Sequence, residues 1–459
     1  MKKRILTGTL LIIAAGLAWG IFYLNSLMPV ITGYAAKDMC SAVFLSHREP
    51  KEIAETDLNF SLVRFVTNEI NYQEQSVTSR FLWGRSKAIF RVGFGCTLLH
   101  GKDGDTLRKI KFPPVKLSKY SQDYIAWPYG NMVPDSNTGI NKTKLAGISD
   151  GIITGKAYGG DVFAFVVIHR GFPVAEKYKA GFTAKTRFLG WSMAKSFTNA
   201  MTGIMVGDSM LNINEPAGIA AWTNDDRSKI TVNNLMQMQS GLKWNEDYGT
   251  RSDVTTMLYN STDFAAYAFN KPAEFPAGSH WYYSSGSTNI VSFLLRKHFN
   301  DDNAYYAYMY NRLLAKIGMP KAVLETDQSG TIAGSSFVYA TAKDYARFGL
   351  LYLQDGVFKG ERILPEGWVA YTTTPASQSN GAYGSFFWLN RSKYYPSAPA
   401  DMYSCNGHDG QRIFIIPSKS LVIVVLGRSP KPDHTVDFDR LLKDVIATVP
   451  EGEGNEVVK

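Results

Sequence analysis

The chain has 459 residues, of which 45% are hydrophobic and 19% charged, and a formal net charge of +9. This balance supports a sizeable core and excludes a disordered chain, and the length admits one large domain or two medium ones. The Lys and Arg residues are scattered, with no long basic run and no nucleic-acid motif, so the charge reads as a solvated surface and no nucleic-acid partner is expected.

In chain order, the first feature is apolar. Lys2, Lys3 and Arg4 precede ILTGTLLIIAAGLAWGIFYL, residues 5–24, which carry no charge. About 20 apolar residues suffice to cross a bilayer, whereas a signal peptide has an apolar core of about 7–15 residues with a small-x-small cleavage site close behind. The first small pair here, Gly33 with Ala35, lies well past Leu24. A retained single-pass anchor, residues 1–28, is therefore expected, with a cleaved signal as the alternative. The basic cluster keeps the N-terminus cytoplasmic. The rest of the chain is then extracytoplasmic, which in a two-membrane cell means inner membrane and periplasm. Cys40 follows Lys-Asp-Met, unlike a lipid-attached cysteine. In an exported chain two cysteines can be bridged; Cys40 and Cys96, both early, are the expected pair and Cys405 is left over, the alternative being three buried thiols.

Residues 36–110 read as strands and short helices, and 111–150, rich in Pro, Asn, Asp, Ser and Gly, as a surface connector. The stretch 162–178, VFAFVVIHRGFPVAEKY, predicts a β-hairpin turning at His-Arg-Gly. In SMAKSFTNAMTGIMVG, Met193, Phe197, Met201, Ile204 and Met205 fall at helical spacing before Gly207. Residues 215–330 look mainly helical with long loops, 341–356 form an amphipathic helix ended by Asp-Gly, and 411–429 form a second hairpin turning at Pro-Ser-Lys-Ser. Strand pairs at both ends with helices between them predict an α+β domain over 151–450, one antiparallel sheet closed by both chain ends with a helical lobe beside it, preceded by a subregion and connector at 29–150.

Ser192 and Lys195 sit three apart, on one helix face. A serine hydroxyl is a weak nucleophile until a base takes its proton, and a desolvated lysine can be that base. The spacing alone is weak: Ser240 and Lys243 repeat it in MQSGLKW, where Gly241 favours a turn, and Ser192 alone would read as a helix N-cap. Two further stretches strengthen it. In FPAGSHWYYSSGSTN, Tyr283-Ser-Ser285 precedes a helix; in CNGHDGQRIFII, Gly407-His408-Asp409-Gly410 leads into a strand. The seven histidines show no zinc spacing, so neither a metal nor a cofactor is expected.

With these three motifs in order, and with WNEDY at 244–248 and GSSFVYATAKDYARFGLLYLQDG at 334–356, the chain resembles the serine hydrolases of the class C β-lactamase-related superfamily, near the 6-aminohexanoate-dimer hydrolase and family VIII esterase branch, over about residues 155–430. CSAVF and GCTLL are also similar to that branch. The resemblance implies a β-lactamase/DD-peptidase-like fold in which Ser192 becomes acylated and Lys195 and Tyr283 handle the proton. It implies an oxyanion hole from the backbone N–H groups of Ser192 and Gln411, after Gly410, with His408 and Ser285 facing the cleft and Tyr248 closing over the substrate. Ser285 stands where class C β-lactamases have Asn and His408 where they have Lys, so an ester, amide or peptide-like substrate is expected in place of a β-lactam. Two readings stay open beside it: an α/β-hydrolase triad using Asp401 and His408, and a tethered binding module without catalysis.

Overall fold

A computed structural model describes residues 2–101, 103–113, 121–134, 137–429 and 435–450, with the side chains of Lys2, Lys3 and Arg4 outside that description. The chain divides into two compact units, one comprising Met1–Arg91, Gly95–Lys109 and Asn245–Thr262, the other Val92–Phe94, Ile110–Trp244 and Asp263–Lys459.

In the first unit a single helix, α1 (Lys2–Phe44), runs unbroken through Pro29. Its first half is exposed, and the helix is long and apolar enough to cross a membrane. From Met28 to Val43 its apolar face is buried instead. It packs there on an antiparallel sheet of β1 (Thr67–Asn71), β2 (Ser76–Phe81), β3 (Gly84–Arg91) and β4 (Gly95–Leu98). Residues 36–44 thus differ from the expected strand-and-short-helix reading. AAKDMCSAVF lacks a breaker and presents Ala36, Met39, Cys40 and Val43 at helical spacing to the sheet, so packing extends the helix that the apolar stretch begins. Cys40 on α1 and Cys96 on β4 are joined in a disulfide. At Gly33 a Cβ would lie 2.8 Å from the Tyr259 carbonyl, so only glycine lets the helix approach Asp253–Asn260 this closely.

The second unit is built on a six-stranded antiparallel sheet. Its N-terminal strands are β5 (Asp161–His169) and β6 (Phe172–Tyr178), the expected hairpin. A small three-stranded sheet comes next, with β7 (Phe188–Leu189) and β8 (Val323–Leu324) on either side of β9 (Val338–Ala340). A two-stranded ribbon, β10 (Val357–Phe358) and β11 (Glu361–Arg362), stands alone, and β12 (Trp388–Leu389), β13 (Tyr403–Asn406), β14 (Arg412–Ile416) and β15 (Leu421–Arg428) complete the large sheet. Its order is β12-β13-β14-β15-β5-β6, so the last strand pairs with the first and both chain ends close one sheet, as the α+β reading expects.

Both faces of this sheet are covered, which is why β5 and β15 read as continuous apolar runs. On one face Leu145, Ile148 and Ile152 of Lys142–Ile153 join Leu441, Leu442 and Val445 of Phe438–Ile446 in a core with Phe165, Val167, Ile423 and Val425. Lys142–Ile153 lies in the stretch expected to be a connector; Asn141 caps it by accepting from the Lys144 N–H. On the other face lies Ala342–Leu353, where a Cβ on Gly349 would meet Val422 at 2.5 Å. Its capping box, Thr341 with Asp344, explains its sharp start. Ser240 and Lys243 do not form a second Ser-Lys pair: Gly241 is left-handed, at φ +72, and Lys243 is exposed.

The cysteine chemistry gives the first test. Cys405 is buried on β13, and burial pushes its thiol up to about 12, leaving almost no thiolate to react. Thiol titration should count none in the native protein, one after denaturation without reductant, and three after reduction; a thiol reacting natively contradicts the buried Cys405.

Candidate active site

The second unit positions Ser192 by a strained turn. Trp191, Ser192 and Met193 form a single 3-10 turn, and helix α2 (Ala194–Gly207) continues from it. Trp191 is non-glycine at φ +49, a conformation that persists only where the surroundings impose it. They do so here. The Gly190 N–H donates to the Val338 carbonyl at 2.8 Å, and the Trp191 ring is wedged against Phe337 and the edge of His408. Ser192 caps nothing: the helix N-cap position is Met193, without a side-chain bond, and the Ser192 hydroxyl is a partner of Lys195.

Almost every residue of α2 is buried, so it is a central helix covered on all sides. Its polar side chains are satisfied internally. Asn199 accepts from Tyr352 at 2.6 Å and from the Trp368 indole at 2.9 Å and donates to the Ser385 carbonyl, and Thr198 donates to Gly334. Phe197 stacks on Phe348 with centroids 3.9 Å apart. The first turn is thereby fixed, and Lys195, 1% exposed, is aimed at a set of neutral oxygens.

The Lys195 Nζ lies 3.1 Å from Ser192 Oγ, 2.9 Å from Ser285 Oγ and 3.0 Å from the Ser335 carbonyl oxygen. Ser285 is the first residue of helix α3 (Ser285–Lys297), capped by Ser284, whose hydroxyl accepts from the Ser287 N–H. Ser335 is held by Asn289 of that helix, which donates to its hydroxyl at 3.0 Å and accepts from its N–H at 3.3 Å. Tyr283 turns its ring face to Lys195, with Nζ 4.8 Å from the centroid. Behind Tyr283 stand Trp388, 5.4 Å away, Tyr383 and Trp281, an aromatic wall.

The Gly407–Gln411 segment closes the other side. A Cβ on Gly407 would collide with the Gly190 carbonyl, so the end of β13 meets the Ser192 turn only through glycine. His408 is 3.4 Å from the Asp409 carboxylate, and Asp409 is itself left-handed, at φ +55. At Gly410, φ +85, a Cβ would lie 2.6 Å from Ser429 Cβ. The Gln411 side chain is turned away from the turn: its Oε1 accepts from the Gly427 N–H and its Nε2 donates to the Gly427 carbonyl, while its own N–H reaches His408 O at only 3.5 Å.

Ser192, Lys195, Tyr283 and Ser285 are thus brought together, and His408 joins them through Trp191. Tyr248 belongs to the first unit, in the loop before Asp253–Asn260. Asp401 is occupied by Ser418, accepting from its N–H and hydroxyl, and the sheet carrying the site is antiparallel throughout, so the α/β-hydrolase triad has no scaffold here. Two contributors escape sequence reasoning. The Ser335 carbonyl is backbone and has no side-chain signature, and the aromatic wall combines GAYGSFFWLN, 381–390, with a stretch about a hundred residues earlier.

The close approach at Gly407 is testable. Gly407→Ala forces β13 and the Gly190 carbonyl apart and should cost about 1–3 kcal/mol, as overpacking does. Denaturant unfolding measures it; an unchanged midpoint would show that the two segments separate freely.

Comparison with known proteins agrees with this architecture. The family model "Beta-lactamase" matches residues 155–447, more than half of the chain. A curated relative, "6-aminohexanoate-dimer hydrolase" of Paenarthrobacter ureafaciens, is 25% identical over 300 residues, covering 59% of this chain and 73% of its own. Among solved structures, a penicillin-binding protein homologue from Caulobacter crescentus superposes with TM-score 0.53 at 14% identity, covering 70% of this chain and 99% of its own. A family VIII carboxylesterase does so with TM-score 0.52 at 14% identity, covering 67% and 99%. These two likenesses bear on fold alone. With a family match over more than half its length, and with a buried lysine on a serine at the head of the central helix, the chain belongs to the Beta-lactamase family of serine hydrolases.

Proposed function

We propose that the protein is a membrane-anchored, extracytoplasmic hydrolase that cleaves an ester or linear amide through an acyl-enzyme on Ser192. One observation carries the reading: a lysine with 1% exposure whose amine sits 3.1 Å from Ser192 Oγ. Burying an amine is costly unless its hydrogen bonds are made. Here two hydroxyls and one carbonyl surround it and leave it in reach of the serine proton.

In the reaction, Ser192 Oγ bonds to the substrate carbonyl carbon while its proton passes to the neutral amine of Lys195. Tyr283, whose ring faces that amine, is the second proton-handling residue, acting through its phenol oxygen. The carbonyl oxygen becomes an oxyanion and receives the N–H groups of Ser192 and Gln411. The long Gln411 contact to His408 O is a weak bond, readily exchanged for a charged acceptor. Collapse breaks the C–O or C–N bond, and the leaving group departs with the proton from Lys195. Water then attacks the acyl carbonyl, giving its proton back along the same path, and Ser192 is restored. Ser285 serves as a hydrogen-bond partner of Lys195, and His408 and Gly410 border the oxyanion side. A relative named for hydrolysing a 6-aminohexanoate dimer favours a linear amide, and the Ser285 and His408 departures disfavour a β-lactam.

In this reading residues 1–28 are the anchor, 29–150 the subregion and connector, and 151–450 the hydrolase. Two features support retention outside the cytoplasm. The Cys40–Cys96 bridge suits an oxidising compartment. Moreover, Gly33 and Ala35, the first small pair that might be cleaved, lie within a buried turn of α1, so cutting there would remove part of the first unit's core.

A fluorophosphonate probe tests the chemistry on the full chain in detergent. The probe should label Ser192, Ser192→Ala should abolish labelling, and Lys195→Ala should slow it by about 10²–10⁴-fold, the contribution usual for a positioned base. No adduct on Ser192 at any pH overturns the hydrolase and favours a binding module. Undiminished labelling of Lys195→Ala removes the lysine from the mechanism.

A further inference from the structure

The turn between β2 and β3 carries an apolar tip that the hydrolase reading does not use. Phe81 pairs with Gly84, leaving Leu82 and Trp83 as the two turn residues. Leu82 is left-handed at φ +49. Two-residue turns favour Asn, Asp and Gly, which tolerate that conformation and are solvated. Here leucine and tryptophan stand instead, 65% and 54% exposed. The next pair inward is Arg80 opposite Arg85. Like charges directly opposite in a ladder are destabilising. Arg80 has a 3.4 Å contact with the exposed Glu69, and Arg85 is exposed. The turn therefore combines two features unfavourable in water: apolar residues at its tip and paired cations at its flank.

Its position gives both a purpose. The Trp83 indole donates to the Asn25 side chain at 3.0 Å, and a Cβ on Gly84 would lie 2.8 Å from Met28 Cβ. The tip is therefore fastened to α1 at residues 25–28, immediately after the apolar stretch 5–24 ends. At 1.5 Å per residue, these contacts fall within about 6 Å of that end along the helix axis. That is the depth of lipid headgroups if 5–24 fill the hydrocarbon. Tryptophan prefers this layer, and arginine meets phosphate bidentately.

We propose that the β2–β3 turn is a second membrane contact, in which Leu82 enters the outer leaflet beside α1, Trp83 lies at headgroup level, and Arg80 and Arg85 bind the phosphates of anionic phospholipid. The inference rests on the reading of 5–24 as a retained anchor. A single helix is free to spin about its axis; a second contact removes that freedom and fixes one face of the first unit toward the bilayer.

Spin labels on the full chain in nanodiscs of phosphatidylglycerol and phosphatidylethanolamine test it. The native cysteines do not compete, since Cys40 and Cys96 are bridged and Cys405 is buried. Labels are placed by Leu82→Cys, by Ile12→Cys within the span, and by Gln73→Cys at the exposed β1–β2 turn. The Leu82→Cys label should collide with oxygen and be shielded from a water-soluble nickel chelate about tenfold more than Gln73→Cys. Replacing Arg80 and Arg85 by Glu, or omitting phosphatidylglycerol, should raise its nickel accessibility. A Leu82→Cys label as open to nickel as Gln73→Cys, with Ile12→Cys in lipid, overturns the turn contact alone. An Ile12→Cys label in water overturns the anchor itself. Shielding of Leu82→Cys from oxygen and nickel alike marks a protein partner and overturns the lipid assignment.

Discussion

The second unit is organised around keeping one lysine amine out of water and near a serine. An amine 1% exposed must have its donors answered, and the fold supplies three oxygens from three places: the residue three before it, the start of α3, and a backbone carbonyl next to β9. Each is itself pinned. Ser285 is set by a capped helix start, and Ser335 is clamped by Asn289 through both atoms of its amide. Lys195 is set by a helix whose polar side chains are bonded inward. Loss of any one would leave a buried polar group unanswered, which costs more than a hydrogen bond yields. The amine thus ties its helix to segments 90 and 140 residues away in the chain, and for the same reason it is held at one distance from Ser192.

Strain and close approach are concentrated where that distance is set. Trp191 is left-handed without being glycine, and Asp409, on the opposite side, is too. Gly190 and Gly407 touch through backbone atoms, so no side chain intervenes between the serine turn and the end of β13. The left-handed residues keep large or charged side chains because these are used: the Trp191 ring orients His408, and Asp409 lies 3.4 Å from that imidazole. Glycine at either position would relieve the backbone and lose the contact.

How legible each feature is in the sequence depends on how local its cause is. The hairpins at 162–178 and 411–429 and the helix at 342–353 are legible because periodicity and turn residues are local. The Ser192–Lys195 pair is legible as a spacing, but Ser240–Lys243 has the same spacing and differs only through Gly241, which forces a turn. Ser285 reads from its motif as facing substrate, whereas its bond to Lys195 depends on how α3 is set against α2, which no local pattern encodes. The Ser335 carbonyl is invisible for a stricter reason, since every residue has one. The continuation of α1 to Phe44 is hidden differently: composition changes at residue 25 from membrane-like to mixed, and only packing on β2–β4 makes one helix of both parts.

That continuity constrains the first unit. A helix that is exposed and apolar at one end and core at the other cannot be trimmed into residues 28–43 without exposing the sheet packed on it, because Met28, Ile31, Ala35, Met39 and Val43 supply one side of the core. The disulfide reinforces this by joining Cys40 on the helix to Cys96 on the last strand of the sheet, cross-linking the ends of the packed segment. A bridge closing 56 residues removes several kcal/mol of loop-closure entropy from the unfolded chain in the usual accounting, about 4 kcal/mol. This is a large fraction of a typical domain's stability, and it holds the sheet against the buried C-terminal half of the helix. In the anchored reading proposed above, tethering alone would need only the apolar stretch; burying the apolar face of residues 28–44 as well, in a cross-linked core, makes the tether rigid. In that reading a rigid tether transmits any fixed orientation at the membrane to the first unit, so the β2–β3 turn, fastened at Asn25 and Met28, sits where the proposed contacts with lipid have the greatest leverage.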